Sequence, residues 1–322
     1  MVKAGNPSRL QKLEMEKSVE NLDCKNIIVK MSEGINRYLF NCLDSTFIAG
    51  VSKYSLNGKA KRIRPLLVLM VISSFGQDWK KYTAIASVIE LLHTATLVQD
   101  DIMDESGYRR GKKANHLVYG DNLAILAGDY LFAMTIERII KEASVLEYSP
   151  MQINFIIKRV INTLLRIISG QADEISARKK NVSGEKLKDI LTNKTASFFG
   201  LSMELGGFLI KRSEDELKIL YGAGVSLGNV FQIADDIIDQ KETDSTAGKN
   251  TGVDKRNGTK NILSTKGLSY SLKWMGDELK KYKEKLNELD CKKELLNEIL
   301  TDIIYSRLDR TCRNIIKNGE KK

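Results

Sequence analysis

Two runs of aspartate, Asp100-Asp101-Ile102-Met103-Asp104 and Asp235-Asp236-Ile237-Ile238-Asp239, lie inside apolar stretches of helical periodicity, and each follows the pattern DDxxD. A chain that buries such stretches has to arrange them around a charged interior. On an α-helix the first and fifth residues of the run differ by about 40° around the axis, so Asp100 and Asp104 share one face, as do Asp235 and Asp239. Carboxylates that close repel each other, and burying them unpaired is costly, so each pair calls for a cation. Oxygen-only ligation suits Mg2+, which keeps waters and bridges carboxylates to substrate phosphates. A single copy reads more readily as a solvated helix face. Two copies with apolar flanks favour a metal site facing a phosphate.

Helical periodicity is readable over 27–47, 63–75, 82–103, 122–143, 151–177, 184–210, 214–239, 268–289 and 292–316. Only Pro7, Pro65 and Pro150 interrupt the chain as prolines, and no run alternates convincingly as a strand, so the expectation is an all-α fold of long helices. The stretch around Leu164, Leu165, Ile167 and Ile168 is apolar over most of its circumference, which predicts a helix buried in the middle of the bundle. Residues 242–261 (ETDSTAGKNTGVDKRNGTKN) break the pattern and predict a long loop of the kind that serves as a lid. Residues 1–25 are expected to form a polar extension, and 26–322 one domain.

The formal net charge of +10 points to an anionic partner or substrate, such as nucleic acid, acidic lipid or diphosphate. Cys24, Cys42, Cys291 and Cys312 are scattered without a CxxC, and the chain has two histidines, which argues against a zinc site or a disulfide framework. A reducing, cytoplasmic setting is expected, with an organelle left open. Acidic residues Glu14, Glu16, Glu20 and Asp23 weaken a transit-peptide reading of the N-terminus, and no apolar run is long enough to span a bilayer. Contact with a membrane surface through basic residues stays open.

Basic residues accompany the carboxylates: Lys59, Lys61, Arg62 and Arg64; Arg109, Arg110, Lys112 and Lys113; Lys194; and Lys249, Lys255, Arg256 and Lys260. Singly, each group reads as a solvated face. Arg109 and Arg110 follow the first aspartate run so closely, however, that cation-binding and anion-binding groups come together, as a magnesium-bridged diphosphate requires.

These motifs occur in a recognisable order: KRIRP at Lys61 to Pro65, LLHTATLVQDDIMDESGYRRG from Leu91 to Gly111, GDYL from Gly128, Gly170-Gln171, KTA at Lys194 to Ala196, FQIADDIID from Phe231, and Gly248-Lys249. In this the chain resembles the trans-isoprenyl diphosphate synthases of the polyprenyl synthetase family, from about Lys59 to Lys260. The resemblance implies the isoprenoid synthase fold, a single-domain bundle of mostly antiparallel helices around a central cavity. It also implies a homodimer.

By that resemblance Asp100 and Asp104 hold two Mg2+ ions and Asp235 a third, with Asp101, Asp236 and Asp239 supporting or adding ligands. Arg109, Lys194, Thr195, Gln232 and Lys249 bind the diphosphate of an allylic substrate. Lys61, Arg64, His93 and Arg110 hold isopentenyl diphosphate, and Lys260 belongs to the loop that closes over the site. The family's GGKRxRP reads here Gly58-Lys59-Ala60-Lys61-Arg62-Ile63-Arg64-Pro65, so alanine precedes the matched lysine. Lys61 is preferred for its spacing to Arg64, with Lys59 the alternative. His93 is expected to face the ligand, whereas His116 is expected to be a core histidine.

Departure of diphosphate from an allylic carbon leaves an allylic cation and adds negative charge to the departing oxygens. Mg2+ with Arg109, Lys194 and Lys249 would stabilise that transition state more than the ground state. The double bond of isopentenyl diphosphate then attacks, which needs no covalent enzyme intermediate, and the final proton goes to the released diphosphate. Ala95 and Thr96, one turn before Asp100, lie where the family carries bulky aromatic residues when it makes short products. Both are small here, so the expected product is longer than farnesyl diphosphate, a polyprenyl chain first and geranylgeranyl diphosphate next. Leu92, Val88 or Phe132 would be a deeper floor.

Three rivals are weaker. A terpene cyclase shares the aspartates and magnesium but needs no counterpart of Lys61, Arg64 and Arg110. A non-catalytic regulatory subunit would be expected to have lost aspartates, and both runs are intact. A nucleic-acid binder would interleave aromatics with its basic clusters and would not pair them with carboxylates.

Overall fold

In a computed structural model of the protein the described residues are 9–178, 180–245 and 261–300, with side chains described for 23–178, 180–238 and 261–300. They form one mostly helical bundle. In chain order the helices are α1 (Arg9–Asn41), α2 (Phe47–Leu56), α3 (Ile63–Ser74), α4 (Thr83–Met103), α5 (Asn115–Tyr119), α6 (Asp121–Val145), α7 (Pro150–Ala177), α8 (Gly184–Leu191), α9 (Ser197–Leu209), α10 (Glu214–Ser245), α11 (Ile262–Lys266), α12 (Leu268–Asn287) and α13 (Glu294–Ile299). A hairpin of two-residue strands, β1 (Tyr108–Arg109) and β2 (Lys112–Lys113), follows α4. None of the described helices is long and apolar enough to cross a membrane.

Local chemistry explains the boundaries. Ser149 and Gln152 form a capping box at the start of α7, with Pro150 in the first turn, where its missing N–H has no helical partner to lose. Ser213 and Glu216 do the same for α10, the serine amide donating to the Glu216 carboxylate at 3.0 Å and the Glu216 amide to the serine hydroxyl at 3.3 Å.

The core is centred on α3 and α9. Ten of the twelve residues of α3 are buried, and α3 packs against both α4 and α9, while α9 packs on α7 and α10. Of the helices that carry the two aspartate runs, α4 thus packs on α3 and α10 on α9.

The elements depart from the periodicity in several places. The first periodic stretch, 27–47, divides into α1 and a separate α2, and α1 begins upstream of it at Arg9. The stretch 184–210 is helical from Gly184 to Leu209 as expected, with a π-turn at Thr192–Ala196 between α8 and α9. The helix α10 continues to Ser245, so residues 242–245 are helical where a loop was expected. Lys249 and Lys260 lie outside the described residues, as does Cys312.

The placement of α7 in the middle of the bundle is corrected. Ile156, Val160, Thr163, Ile167 and Gly170 are buried along one face, but Leu165 and Ile168 on the other are 56% and 52% exposed. The helices apolar all round are α3 and α9. An apolar circumference identifies a helix that is covered on every side, and on α7 one side is exposed among the described residues.

Candidate active site

The site is built where α4 ends, α7 ends, the π-turn bulges and α10 passes its midpoint. On α4 the residues His93, Thr96 and Asp100 follow each other at helical spacing and keep part of their surface open, while Ala95, Val98 and Asp101 are buried. The two faces of α4 therefore have different tasks. Asp100 and Asp104 line the open one, their backbones linked by the helical bond from the Asp104 amide to the Asp100 carbonyl at 2.9 Å.

The two aspartates meet cations already present in the chain. Lys194 Nζ lies 3.4 Å from Asp100 and 2.6 Å from Glu174, and Arg178 pairs with Asp104. Burial opposes the charge on Lys194, yet Asp100 and Glu174 outweigh it and hold the ammonium above its ordinary value. Burial raises the Asp104 carboxyl above the usual carboxylate range, and Asp100 beside it adds to the rise, with Lys194 and Arg178 opposing.

Lys194 and Thr195 are delivered by the π-turn. A π-turn holds one residue more than an α-turn, which re-aims the side chains within it, and such turns recur at functional sites. Here it sends Lys194 toward the first aspartate run and Thr195 toward the second. The Thr195 hydroxyl donates to the Gln232 side-chain oxygen at 3.2 Å, and Gln232 Nε2 donates to Asp236 Oδ1 at 2.9 Å. One bulge thus links both carboxylate clusters. Asp235 and Asp236 remain partly exposed on α10. The side chain of Asp239 lies outside the described residues, although its backbone continues the helix.

Gly170 makes this approach possible. A Cβ at that position would lie 2.6 Å from the Lys194 amide nitrogen, so only glycine lets α7 touch the π-turn backbone. Its neighbour Gln171 is buried with neither amide atom hydrogen-bonded.

The arginines divide between the two faces of α4. Arg109 donates to Asp101 through Nε at 2.9 Å and Nη2 at 2.5 Å, so Asp101 is committed to an arginine and not to the open face. Arg64 donates to His93 Nε2 at 2.9 Å, which places the His93 proton on Nδ1, and its guanidinium lies 5.0 and 5.1 Å from the ring centres of Phe198 and Phe199. Burial drops the Arg64 group to about 10, still charged at neutral pH, and holds His93 well below its ordinary value, with Arg64 adding to the effect. His93 is accordingly a neutral acceptor. Arg110 donates to the Ser55 carbonyl at 2.8 Å and to Glu90 at 2.7 Å. Lys61, at the start of this segment, is exposed. A small recess opens on this side of α4, lined in part by Tyr54, Thr94, Arg109, Arg110 and Lys112.

Ala95 is fully buried in the apolar core, along with Val88 and Leu92, while Thr96 stays partly open and donates its hydroxyl to the His93 carbonyl at 2.8 Å. His116 is placed away from the open face of α4, on α5, with its Nδ1 buried and unpartnered.

Three acidic or basic members were not recognised in the sequence: Glu174, Arg178 and Glu90. Glu174 and Arg178 stand four and eight residues after Gly170, so the spacing of α7 does place them on the face that Gly170 turns to the site. Glu90 carried no such signal, being the one acid of α4 before the aspartate run, in an apolar stretch.

The donor set fits a hard dication. It consists of carboxylate oxygens, two of which are now neutralised by Lys194 and Arg178 in the manner of stand-in cations. Among the described residues no three potential ligands converge unaided, so phosphate oxygens would have to complete the coordination.

A family model described as "Polyprenyl synthetase" matches residues 45–300 of the chain. The farnesyl diphosphate synthase of Bacillus subtilis is 31% identical over 265 residues, covering 79% of this chain and 86% of that protein. The geranylgeranyl diphosphate synthase of Saccharolobus solfataricus is 34% identical over 264 residues, 81% of this chain and 78% of its own. The crystal structure of an FPP/GFPP synthase from Zymomonas mobilis superposes with a TM-score of 0.76 at 24% identity, over 88% of this chain and 99% of that one.

Proposed function

The chain belongs to the polyprenyl synthetase family, and we propose that its two aspartate runs, with Lys194 and Thr195 between them, form the centre of an isoprenyl diphosphate synthase. As a family member it is a Mg2+-dependent trans-prenyltransferase, condensing isopentenyl diphosphate with an allylic diphosphate. The observation that carries the assignment of residues is the π-turn, which joins Asp100 through Lys194 to Asp236 through Thr195 and Gln232. A diphosphate seated there would replace the carboxylates as the partner of Lys194.

Asp100, Asp104 and Asp235, supported by Asp236 and Asp239, would hold three Mg2+ ions, which supply charge neutralisation for the leaving diphosphate. The residues of the chain do the rest. Lys194, Thr195 and Gln232 orient the allylic diphosphate, with Arg109, Lys249 and Lys260 completing its enclosure. Arg64, Lys61 and Arg110 hold the second diphosphate, and neutral His93 fixes the Arg64 guanidinium by accepting a hydrogen bond from it. The face of α4 that carries Thr96 guides the prenyl tail away from Asp100. A small residue there supports a product longer than farnesyl diphosphate, either a polyprenyl chain or geranylgeranyl diphosphate.

The protein is proposed to work as a homodimer. Ile161, Leu165, Ile168 and Ile175 form an exposed apolar stripe on α7, and Ile125, Leu126 and Ile140 extend the exposed apolar surface on α6. A second copy offers the same stripe and buries both.

Incubation of the purified protein with Mg2+, labelled isopentenyl diphosphate and each of dimethylallyl, geranyl, farnesyl and geranylgeranyl diphosphate, followed by product sizing, tests this reading. Products longer than farnesyl diphosphate are expected, and no incorporation with any primer would refute it.

A further inference from the structure

Glu90 lies on α4 one turn before His93 and is 1% exposed, among the buried apolar residues Ile85, Ala86, Val88, Ile89, Leu91 and Leu92. A carboxylate so placed needs a counter-charge. It has two. Arg62 Nη1 donates to Glu90 Oε1 at 2.8 Å and Arg110 Nη2 to the same oxygen at 2.7 Å, while Oε2 has no hydrogen-bond partner. The two arginines come from segments far apart in sequence. Arg62 lies in the KRIRP motif and also donates to Asn36 Oδ1 at 3.1 Å and to the Leu56 carbonyl. Arg110 is in the turn of the β1–β2 hairpin.

Both arginines are held in left-handed backbone conformations, with φ of 50° at Arg62 and 55° at Arg110. Arginine seldom adopts this region, because Cβ crowds the following carbonyl. In the hairpin, Arg110 and Gly111 (φ 78°) give the turn in which both central residues have positive φ, where asparagine or aspartate normally precedes the glycine. The chain thus accepts strain at two sites to bring two guanidiniums onto one oxygen. Gly58 brings the two segments together, since a Cβ there would lie 3.1 Å from Arg110 Cβ and its carbonyl oxygen.

We propose that Glu90 is a positioning residue for the isopentenyl diphosphate site: it fixes the KRIRP segment and the hairpin turn to the same atom of α4, and so sets the spacing between Lys61, Arg64 and Arg110. The proposal rests on the assignment of those three residues to the second diphosphate. Glu90 itself touches no substrate. Glu90 holds Nη2 of Arg110 while the Ser55 carbonyl holds Nη1, so the plane of the guanidinium is fixed, and the Glu90 charge keeps two neighbouring cations from repelling each other apart.

The test is the kinetic split in Glu90→Gln. The KM for isopentenyl diphosphate should rise about 10- to 100-fold, the worth of a misdirected charge-assisted hydrogen bond, with the KM for the allylic diphosphate unchanged. Glu90→Asp should restore part of the loss. A purely structural role makes a different forecast, so a second variant separates the two: Glu90→Met with Arg62→Met returns the net charge of the cluster to that of the wild type and should recover part of the thermal stability while the KM for isopentenyl diphosphate stays raised. Recovery of that KM together with stability overturns the proposal, and so does an unchanged KM in Glu90→Gln. Failure of the wild-type protein to use isopentenyl diphosphate at all would instead refute the assignment of the site.

Discussion

Replacing Gly170 by alanine should separate the stability of this protein from its activity. The added Cβ would meet the Lys194 amide nitrogen at 2.6 Å, its Cα at 3.0 Å and its Cβ at 3.1 Å, where ordinary contact begins at 3.4 Å. None of these atoms is the free end of a flexible chain, so the π-turn backbone must retreat by about 0.8 Å. Two opposed effects bear on folding. Alanine is favoured over glycine inside a helix by about 1 kcal/mol, and overpacking of this kind costs about 1–3 kcal/mol, so a net loss of no more than about 2 kcal/mol is expected. The effect on catalysis should be larger. Lys194 reaches Asp100 and Glu174, and Thr195 reaches Gln232, through that backbone, and a displacement approaching 1 Å can lower turnover about 100-fold. Thermal unfolding and steady-state kinetics with an allylic diphosphate as the varied substrate measure the two effects on one sample. A variant that is more stable than the wild type and equally active would show that the π-turn does not depend on this contact.

Asp100→Ala or Asp235→Ala should abolish product formation, to below about 10⁻³ of the wild-type rate, with the circular dichroism spectrum intact. Retained activity would remove those residues from the metal site. Thr96→Phe should shorten the product seen by chromatography, whereas Ala95→Phe should mainly destabilise the fold by about 1–3 kcal/mol, because Ala95 is already fully packed. The reverse result would place the floor of the tail cavity on the Ala95 side. At the start of α10 the Arg212 side chain and the Ser213 amide and hydroxyl hold the Glu216 carboxyl down at about 2, from an ordinary 4.5. Since this pKa is depressed on folding, its stabilisation is present above pH 4.5 and is lost as the pH falls toward 2. Glu216→Gln should therefore flatten the acid limb of the stability profile by no more than about 1 kcal/mol, given its exposure to solvent, and an unaltered limb in urea titrations would refute the linkage. Leu165→Glu with Ile168→Glu should convert a dimer into a monomer in sedimentation, and an unaltered mass would move the dimer contact elsewhere.

Much of the site was legible because its chemistry repeats at helical spacing. Asp100 and Asp104 could be assigned to one face of a helix from sequence alone, and Gly170 with Gln171 marked the helix that meets the π-turn. The π-turn itself was not legible: 184–210 reads as one helical stretch, and the extra residue at Thr192–Ala196 shifts the phase without adding a glycine or proline. The misreading of α7 has a different cause. Periodicity reports which faces are apolar, and it is silent on whether the cover comes from the same chain, so Leu165 and Ile168 looked like core residues.

Glu90 and the aspartates obey the same rule, that a buried carboxylate needs a cation, and differ in whether that cation can be exchanged. Arg62 and Glu90 have side chains 4% and 2% exposed, and Arg110 is 8% exposed, so no dication or solvent can displace either arginine from that oxygen without leaving a buried charge unpaired. Lys194 and Asp100 are 24% and 21% exposed and 3.4 Å apart, which is a longer, wetter pair. A diphosphate with its Mg2+ ions can offer Lys194 a stronger partner and Asp100 a stronger cation in the same event, so the exchange leaves neither group uncompensated. The sequence motif DDxxD marks the exchangeable pairs because repetition on one face is what a dication requires. A permanently balanced carboxylate needs only one oxygen in the right place, and its partners, arriving from two distant loops, leave no pattern along the helix.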